Sequence, residues 1–452
     1  MTFQAHNTLT RRKEPLEPTI HPGKVGFYVC GPTVYDLIHI GNARPLVVFD
    51  VLFRLLRRSY GADNVTYVRN ITDVDDKINA AAAERGIPIR ELTETTAQRF
   101  HEDAVALGCL APTHEPRATD HIPEMIAMIE ALIASGHAYA ADGHVLFDVP
   151  SYERYGALSG NSRDEIVAGA RVDVAPYKKD AADFVLWKPS TGDLPGWDSP
   201  WGHGRPGWHL ECSAMSKRFL GQTFDIHGGG RDLIFPHHEN EIAQTCAADA
   251  DAGFARIWMH NGYLSVNGEK MSKSLGNFFT VRDLLEEFPG EALRLLLLGT
   301  HYRQALDFTK ERLTEAKQTL DRFYNALSKA REPEAGELPE EIVTALEDDL
   351  NTPLAISHMH AMADAVFRGE AGAAASLRAA GQIMGLLGAS GQDWFRGGAA
   401  DEEAGEIEGL IDERLAARRN KDFARADQIR DDLKARGIEL MDGPEGTAWR
   451  RV

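Results

Sequence analysis

The run Phe235-Pro236-His237-His238-Glu239-Asn240-Glu241 sets an imidazole and a carboxylate four residues apart, at His237 and Glu241. If the run opens a helix, and Pro236 suits a first helical turn, the two side chains project from one face. A converging imidazole and carboxylate make half of a divalent-metal site. Cys30 and Cys212 can supply the other half. Two thiolates, one imidazole and one carboxylate suit zinc. A His/Glu pair at this spacing also serves as a solvated or capping pair, so its weight comes from its surroundings. His238 with Glu241, three residues apart, fits a helical face as well, and spacing leaves the choice of histidine open.

Two further segments suit phosphate chemistry. Cys30-Gly31-Pro32-Thr33-Val34-Tyr35-Asp36-Leu37-Ile38-His39-Ile40-Gly41-Asn42 lies between a predicted strand and a predicted helix. Gly41 lets a ligand approach the backbone, and a helix start offers free N–H groups and a positive dipole end. His39 can donate to phosphate oxygens as charge grows there. Lys270-Met271-Ser272-Lys273-Ser274 follows the turn signal Asn267-Gly268. Two lysines three residues apart make a cationic clamp suited to a triphosphate whose charge rises in the transition state.

The elements that must position these groups read as a βαβ unit. Residues 25–30 form a short β-type run. Residues 44–60 space Val47, Val48, Val51, Leu52, Leu55 and Leu56 as a helix, and 64–72 form a second strand. Strand, helix and strand in so short a span predict a parallel sheet covered by helices. Helices are expected at 76–86 and 91–107. Residues 112–206 read as a mixed insertion with one amphipathic helix at 123–136 and the tryptophans Trp187, Trp197 and Trp201. Trp187 is expected in a core. The βα rhythm resumes at 222–227, a strand running into Gly228-Gly229-Gly230, and 263–266 enters a hairpin at Asn267-Gly268. Beyond about residue 305 the chain turns helical. Leu313, Ala316, Leu320, Phe323 and Leu327 make one stripe over 308–330, and helix is also expected at 340–349 and on to 387. Residues 388–404 read as a linker, 407–436 as a charged helical pair, and 437–452 as a compact tail. The expected domains are 1–305, 306–395 and 396–452.

Length and composition bound the function. A chain of 452 residues holds several domains with substantial cores. No stretch approaches the roughly 18 to 20 apolar residues of a membrane span, and the polar N-terminus carries no signal-peptide pattern. Four cysteines, Cys30, Cys109, Cys212 and Cys246, are too few for a disulfide framework and fit a reducing cytoplasm. Cys109 and Cys246 are expected to be small buried residues. The net charge of −19 argues against a nucleic-acid binder when taken as a single number. It is uneven, however. Residues 412–452 carry ten Lys/Arg against nine Asp/Glu, a net of +1, which leaves −20 on the remainder. Arg414, Arg418, Lys421 and Arg425 fall at the spacing of one helical face.

His39-Ile40-Gly41-Asn42 and Lys270-Met271-Ser272-Lys273-Ser274, in this order and in a βα setting, resemble the His-Ile-Gly-His and Lys-Met-Ser-Lys-Ser signatures of class I aminoacyl-tRNA synthetases. Asn42 departs from the second His of the signature, yet Asn still donates to a phosphate or ribose oxygen. Gly204-Arg205-Pro206-Gly207-Trp208-His209-Leu210-Glu211-Cys212-Ser213-Ala214-Met215, Asp225-Ile226-His227-Gly228-Gly229-Gly230, the Pro236–Glu241 run, Cys30 to Asp36 and Arg69-Asn70-Ile71-Thr72-Asp73 resemble the cysteinyl-tRNA synthetase family. The resemblance runs from Asn7-Thr8-Leu9-Thr10 to Gly446-Thr447-Ala448-Trp449-Arg450-Arg451.

The resemblance implies a Rossmann-type α/β catalytic domain, a helical bundle and a C-terminal anticodon-binding module. It implies one zinc ion on Cys30, Cys212, His237 and Glu241, which favours His237 over His238. It puts Thr72, Trp208 and His227 around a bound cysteine. His39, Gly41, Asn42, Lys270 and Lys273 would hold ATP with Mg²⁺, and His39, Asn42, Lys270 and Lys273 would act in catalysis. The implied partners are L-cysteine, ATP and tRNA(Cys), with no membrane, in a cytoplasmic monomer. Asp442, Trp449 and Arg450 would contact or stack on single-stranded anticodon bases. Two rival readings share this core: a ligase passing cysteine to an amino-sugar, as in mycothiol-type biosynthesis, and a non-catalytic RNA-binding paralogue.

Overall fold

In the computed structural model, strand β1 (Val25–Val29) has Val25, Phe27, Tyr28 and Val29 all buried, so both of its faces are covered. That pattern belongs to a central strand of a parallel sheet. The structure describes residues 2–451 apart from 19, 170–174, 193, 273–274, 332, 398–400 and 444–445. Helix α1 (Ile40–Tyr60) covers the sheet with Val47, Val48, Val51, Leu52, Leu55 and Leu56, all buried. It begins four residues before the expected start at 44 because His39 caps it, and it stops at Gly61, whose φ of 91° an L side chain rarely adopts.

Strand β2 (Val65–Arg69) pairs in parallel with β1, Phe27 opposite Tyr67. After the insertion come helix α2 (Trp208–Leu220), strand β3 (Thr223–Gly230), helix α3 (Glu239–Ala248) and strand β4 (Phe254–Asn261). The sheet runs β4-β3-β1-β2, all parallel, with Tyr28 opposite His227. The chain therefore leaves β1 toward β2 on one side and returns to β3 on the other. Ligands of open α/β sheets bind at such a reversal, outside the carboxyl ends of the strands. Gly228 lets α1 lie close to the sheet there, since a Cβ would fall 2.1 Å from Phe49 Cζ.

The insertion forms its own four-stranded antiparallel sheet, Ala138–Ala141, His144–Phe147, Phe184–Pro189 and Gly204–Pro206 in sequential order. The amphipathic helix spans Ile122–Ala134, and Trp187 is fully buried, as expected. Leu264–Val266 turns back onto Glu269–Lys270 through Asn267 (φ 52°) and Gly268 (φ 77°), the pair of positive φ values the Asn-Gly signal predicts. Leu264–Val266 also pairs in parallel with Leu306–Phe308. Cys109 and Cys246 are half-buried rather than sealed in a core, and burial pushes the Cys109 thiol up to about 11.

The chain divides into two compact units, Met1–Leu313 with Glu340–Ala355, and Thr314–Pro339 with Ile356–Val452. In the second, Ala316, Leu320, Phe323 and Leu327 are buried along one helical stripe, and Trp394 stacks on Tyr324 with centroids 4.7 Å apart. The expected linker at 388–404 is largely helical: Ser390 caps Gly391–Arg396, and helix α4 (Asp401–Arg419) follows. Ser390 Oγ accepts from Asp393 N at 3.0 Å, a capping bond that an apolar-periodicity reading passes over. Helix α5 (Phe423–Ala435) and the hairpin β5 (Ile438–Gly443) with β6 (Gly446–Arg451) complete the unit.

Candidate active site

Cys30 follows directly on β1, and its N–H donates to Gly228 O at 3.3 Å. Gly31 N donates to Asn70 Oδ1 at 2.8 Å, and a Cβ on Gly31 would lie 1.7 Å from Asn70 O. Glycine is thus what allows the exits of β1 and β2 to touch. Cys212 lies in the second turn of α2. That helix starts after Gly207, where a Cβ would lie 2.0 Å from Val185 O. Cys30 Sγ and Cys212 Sγ are 3.6 Å apart. His237 Nε2 lies 3.0 Å from Glu241 Oε1, and Cys30 Sγ lies 3.5 Å from the same oxygen. Ligand atoms of Cys30, Cys212, His237 and Glu241 all fall within 4.8 Å of one another. Pro236 does not open a regular helix. The chain kinks at Phe235 (φ −137°, ψ 132°), the Phe235–Pro236 bond is cis, and the α-helical span starts only at Glu239. The four-residue separation nonetheless brings His237 and Glu241 together.

Cys212, His237 and Glu241 are almost wholly buried, so each charge answers to its neighbours. Burial raises the Cys212 thiol, but hydrogen bonds from Cys30 and His237 outweigh it and bring the thiol to about 6. Burial, then Cys212 and Glu241, push the Cys30 thiol well up. For His237, burial is outweighed by Glu241 and Cys212, and its pKa stands at about 10. His227 and His237 hold Glu241 well below the usual carboxylate range against the opposing effect of burial. A buried carboxylate and thiolate are thus balanced by protons that a dication can replace. Two sulfurs, one nitrogen and one oxygen form a donor set that fits zinc.

A second layer of side chains surrounds these four. His227 Nε2 lies 2.7 Å from Glu241 Oε2, and its ring stacks on Trp258. His238 Nε2 lies 3.3 Å from Cys30 Sγ, while its Nδ1 is 2.8 Å from His260 Nε2. His260 Nδ1 lies 2.8 Å from Thr8 Oγ1. His209 Nδ1 lies 2.8 Å from His237 Nδ1. Burial holds His209 and His260 down to about 3, so both are neutral. Trp208 stacks on His237 at 4.1 Å and remains 38% exposed, leaving ring surface open. The Thr72 hydroxyl donates to Glu211 Oε2 at 2.7 Å and accepts from Asn70 Nδ2 at 3.1 Å. Burial raises the Glu211 carboxyl well above its ordinary value. Thr72, Trp208 and His227 therefore all border the cysteine pair and its ligand partners. Sequence reading did not single out His209, Glu211, Asn70, His260 or Thr8. His209, Glu211, Asn70 and Thr8 lie inside quoted motifs, whereas His260 lies in none, and Thr8 and His260 reach the site only through the fold.

The nucleotide motifs also meet. His39 Nδ1 accepts from Gly41 N at 3.1 Å and Asn42 N at 3.3 Å, and Asn42 Oδ1 accepts from His39 N at 3.4 Å. Here His39 and Asn42 cap α1 reciprocally, which orients both at its N-terminus. Burial lowers the His39 pKa, against an opposing pull from Asp232. A Cβ on Gly41 would lie 3.5 Å from Met271 Cε, and Phe278 meets His39 edge-on at 5.4 Å, so the loop after the hairpin lies over the helix start. Lys270 is exposed, Asn277 Oδ1 accepts from Ser272 N at 2.8 Å, and Lys273 lies outside the described residues. Arg44, itself buried, donates to the carbonyls of Gly262, Tyr263, Gln304 and His301 at 2.7 to 3.3 Å. It ties α1 to the segment that feeds the Lys270 hairpin.

At the C-terminus the expectations need correction. Trp449 is 4% exposed and packs with Ile407, Ile411, Ile429, Leu433 and Ile438, under the Arg396 guanidinium. It is a core residue of its module, not an open stacking surface. Asp442 and Arg450 stand opposite Thr447 and Glu439 in the β5–β6 hairpin, and their side chains lie outside the described part of the structure. Arg414, Arg418, Lys421 and Arg425 do not share one helix, because α4 ends at Arg419, Lys421 has φ 61°, and Asp422 caps α5. Arg425 bonds Glu413 at 2.9 Å.

Comparison with known proteins identifies the lineage. The family described as tRNA synthetases class I (C) catalytic domain matches residues 16–318. The DALR domain matches 341–389, and the cysteinyl-tRNA ligase anticodon binding domain matches 400–450. A cysteine–tRNA ligase of Acidiphilium cryptum is 62% identical over 451 residues, covering 100% of this chain and 99% of that one. A cysteine–tRNA ligase of Rhodospirillum rubrum is 60% identical over 462 aligned positions, covering both chains fully. Methionyl-tRNA synthetase of Mycobacterium tuberculosis, solved with methionyl-adenylate, superposes with a TM-score of 0.56 at 15% identity, covering 82% of this chain and 93% of that one. That likeness concerns the fold. With a full-length match in sequence, a class I sheet with its helices, and a buried Cys/His/Glu cluster at the strand reversal, this chain belongs to the cysteine–tRNA ligase family of class I tRNA synthetases.

Proposed function

We propose that the chain uses ATP to attach L-cysteine to its tRNA, at the crevice where β1 and β3 part. The carrying observation is the convergence of Cys30, Cys212, His237 and Glu241 at that crevice, in a chain of this family. In the first step the cysteine carboxylate bonds the α-phosphorus of ATP and pyrophosphate leaves. In the second, a ribose hydroxyl of the terminal adenosine takes the acyl group and AMP leaves. Neither step needs an enzyme nucleophile; positioning and electrostatic stabilisation suffice.

Cys30, Cys212, His237 and Glu241 are the ligands we assign to zinc, which when bound supplies a Lewis-acidic centre that prefers a thiolate to a hydroxyl. Cysteine and serine differ by one atom, and pocket shape alone separates such near-isosteres by about 10²-fold. Were the bound ion to accept the substrate sulfur as a further ligand, its preference for thiolate would add the missing discrimination. His209 orients His237, Trp208 and His227 border the substrate, and Thr72, tied to Glu211, closes the polar side. His39, Gly41, Asn42, Lys270 and Lys273 are assigned to ATP with its Mg²⁺, the lysines neutralising charge that develops on the phosphates. We assign catalysis to residues 1–305 with the insertion at 112–206, the bundle to 306–395, and anticodon reading to the module at 396–452 as a whole. No helix among the described residues is long and apolar enough to cross a membrane, and we place the reaction in the cytoplasm of the cell, carried out by single chains.

Cysteine-dependent ATP–pyrophosphate exchange, run beside a metal assay and a comparison of acceptors, tests this reading. Exchange with cysteine, charging of tRNA and about one zinc per chain are expected. Charging of an amino-sugar but not tRNA would move the chain to the rival ligase, and absence of exchange would leave an RNA-binding protein.

A further inference from the structure

Glu241 presents its two oxygens to different partners. Oε1 faces His237 Nε2 at 3.0 Å, Cys30 Sγ at 3.5 Å and His238 Nε2 at 3.9 Å, whereas Oε2 faces His227 Nε2 at 2.7 Å. Besides Glu241, Cys30 has two neighbours of ligand type: Cys212 Sγ at 3.6 Å and His238 Nε2 at 3.3 Å. Ligand atoms of Cys30, His227, His238 and Glu241 lie within 4.8 Å of one another, just as those of the assigned zinc ligands do. We propose that these four residues form a second metal position, adjoining the zinc position and sharing Cys30 and Glu241 with it, which takes a further divalent transition ion when metal is in excess. The inference rests on the zinc assignment, because two ligands belong to both sets.

A separate observation concerns how His238 is held. Its Nδ1 lies 2.8 Å from His260 Nε2, and His260 Nδ1 lies 2.8 Å from Thr8 Oγ1. If each ring donates outward along this chain, the Nε2 lone pair of His238 is left facing Cys30. Metal-bound imidazoles are oriented this way, through a hydrogen bond from the far nitrogen. Mere packing of a buried histidine does not require a three-residue chain reaching from Thr8 to aim one nitrogen at a thiol. A carboxylate splitting its oxygens and a thiol between two donors are the bridging groups of paired metal sites, whose ions stand roughly 3.5–4 Å apart. Repulsion between two dications makes the second ion the weaker one. It would sit on the side bordered by His227, where the substrate thiol is assigned, so excess metal should compete with cysteine.

The test is a titration of the full-length, chelator-stripped chain with Co²⁺. Visible bands report thiolate ligation, and metal content is measured after gel filtration. Two successive steps are expected, the second weaker. His238→Ala should weaken the second step by roughly 10- to 100-fold and keep the first. Thr8→Val, which alters only the aim of the histidine chain, should weaken the second step by less and serves where His238→Ala does not fold. Retention of the first step certifies the fold of either variant. A single step in the unmodified chain overturns the proposal, as does a second step unchanged by both substitutions, which would mark adventitious binding. Failure of the zinc assignment looks different: the first step would be missing, or would survive Cys212→Ser unaltered.

Discussion

At the end of the crevice assigned to the metal, Cys212, His227, His237 and Glu241 are 0–1% exposed, and each is bonded to one of the others or to Cys30. At the end assigned to the nucleotide, Lys270 stands in solvent, and the loop after its hairpin is fastened through bonds such as Ser272 N to Asn277 Oδ1. The contrast follows from what each end must do. Telling sulfur from oxygen demands ligand atoms fixed before the substrate arrives, and burial with interlocking hydrogen bonds fixes them. Charge on a transferring phosphoryl group appears only during reaction, and ATP must enter and pyrophosphate leave. Cations on an exposed hairpin can close over that charge and withdraw.

The strongest way to break this comparison is to remove a donor at the buried end. Cys212→Ser should lose the metal and slow cysteine activation by at least about 10²-fold, with ATP affinity changed little. Exchange rates at varied cysteine and ATP, with metal content alongside, check it. Proton competition comes next. In the metal-free chain His237 carries a proton up to about pH 10, and the Cys30 thiol is raised well above its ordinary value. Both protons must leave when metal binds, so affinity should fall as pH falls, by about tenfold per pH unit for each proton displaced. A chromophoric chelator competition between pH 8 and pH 6 measures the slope, and a flat profile would contradict the ligand assignment.

At the other end, Lys270→Ala should slow adenylate formation by roughly 10²-fold, about 3 kcal/mol in the barrier, while metal content stays whole. Single-turnover adenylate formation checks this. The smallest effect sharpens the comparison: Asn277→Ala removes the bond to Ser272 N, worth about 1 kcal/mol, and should reduce the exchange rate a few-fold with the Co²⁺ spectrum unchanged. An altered spectrum would mean that the two ends are mechanically joined.

Local pattern revealed much of this architecture. The apolar spacing from Val47 to Leu56 located α1, Asn267-Gly268 located the hairpin, and the separation of His237 and Glu241 pointed to two side chains that the fold brings together with Cys30 and Cys212. Pattern erred where one residue redirects the chain. Lys421 at positive φ breaks what reads as a continuous basic face, and Ser390 starts a helix inside an apparent linker. Burial of Trp449 was also hidden, because an aromatic in a polar tail looks the same whether it packs inward or stands free. Least legible were contacts between distant segments. Thr8 and His260 are 252 positions apart, and neither has a local feature that names its partner. The fold makes them neighbours, because Thr8 N donates to Trp258 O at 2.9 Å on β4, the strand that carries His260.

Gly31 carries a consequence for the history of the chain. With 1.7 Å between a would-be Cβ and the Asn70 carbonyl, this position tolerates no side chain while the two strand exits stay in contact. Cys30 stands immediately before it and Asn70 accepts from its N–H, so an assigned ligand, a close backbone contact and a strand terminus are fused into one heritable unit. An insertion or deletion of one codon there would break all three at once, which leaves evolution free to remodel the rim of this crevice but not its floor.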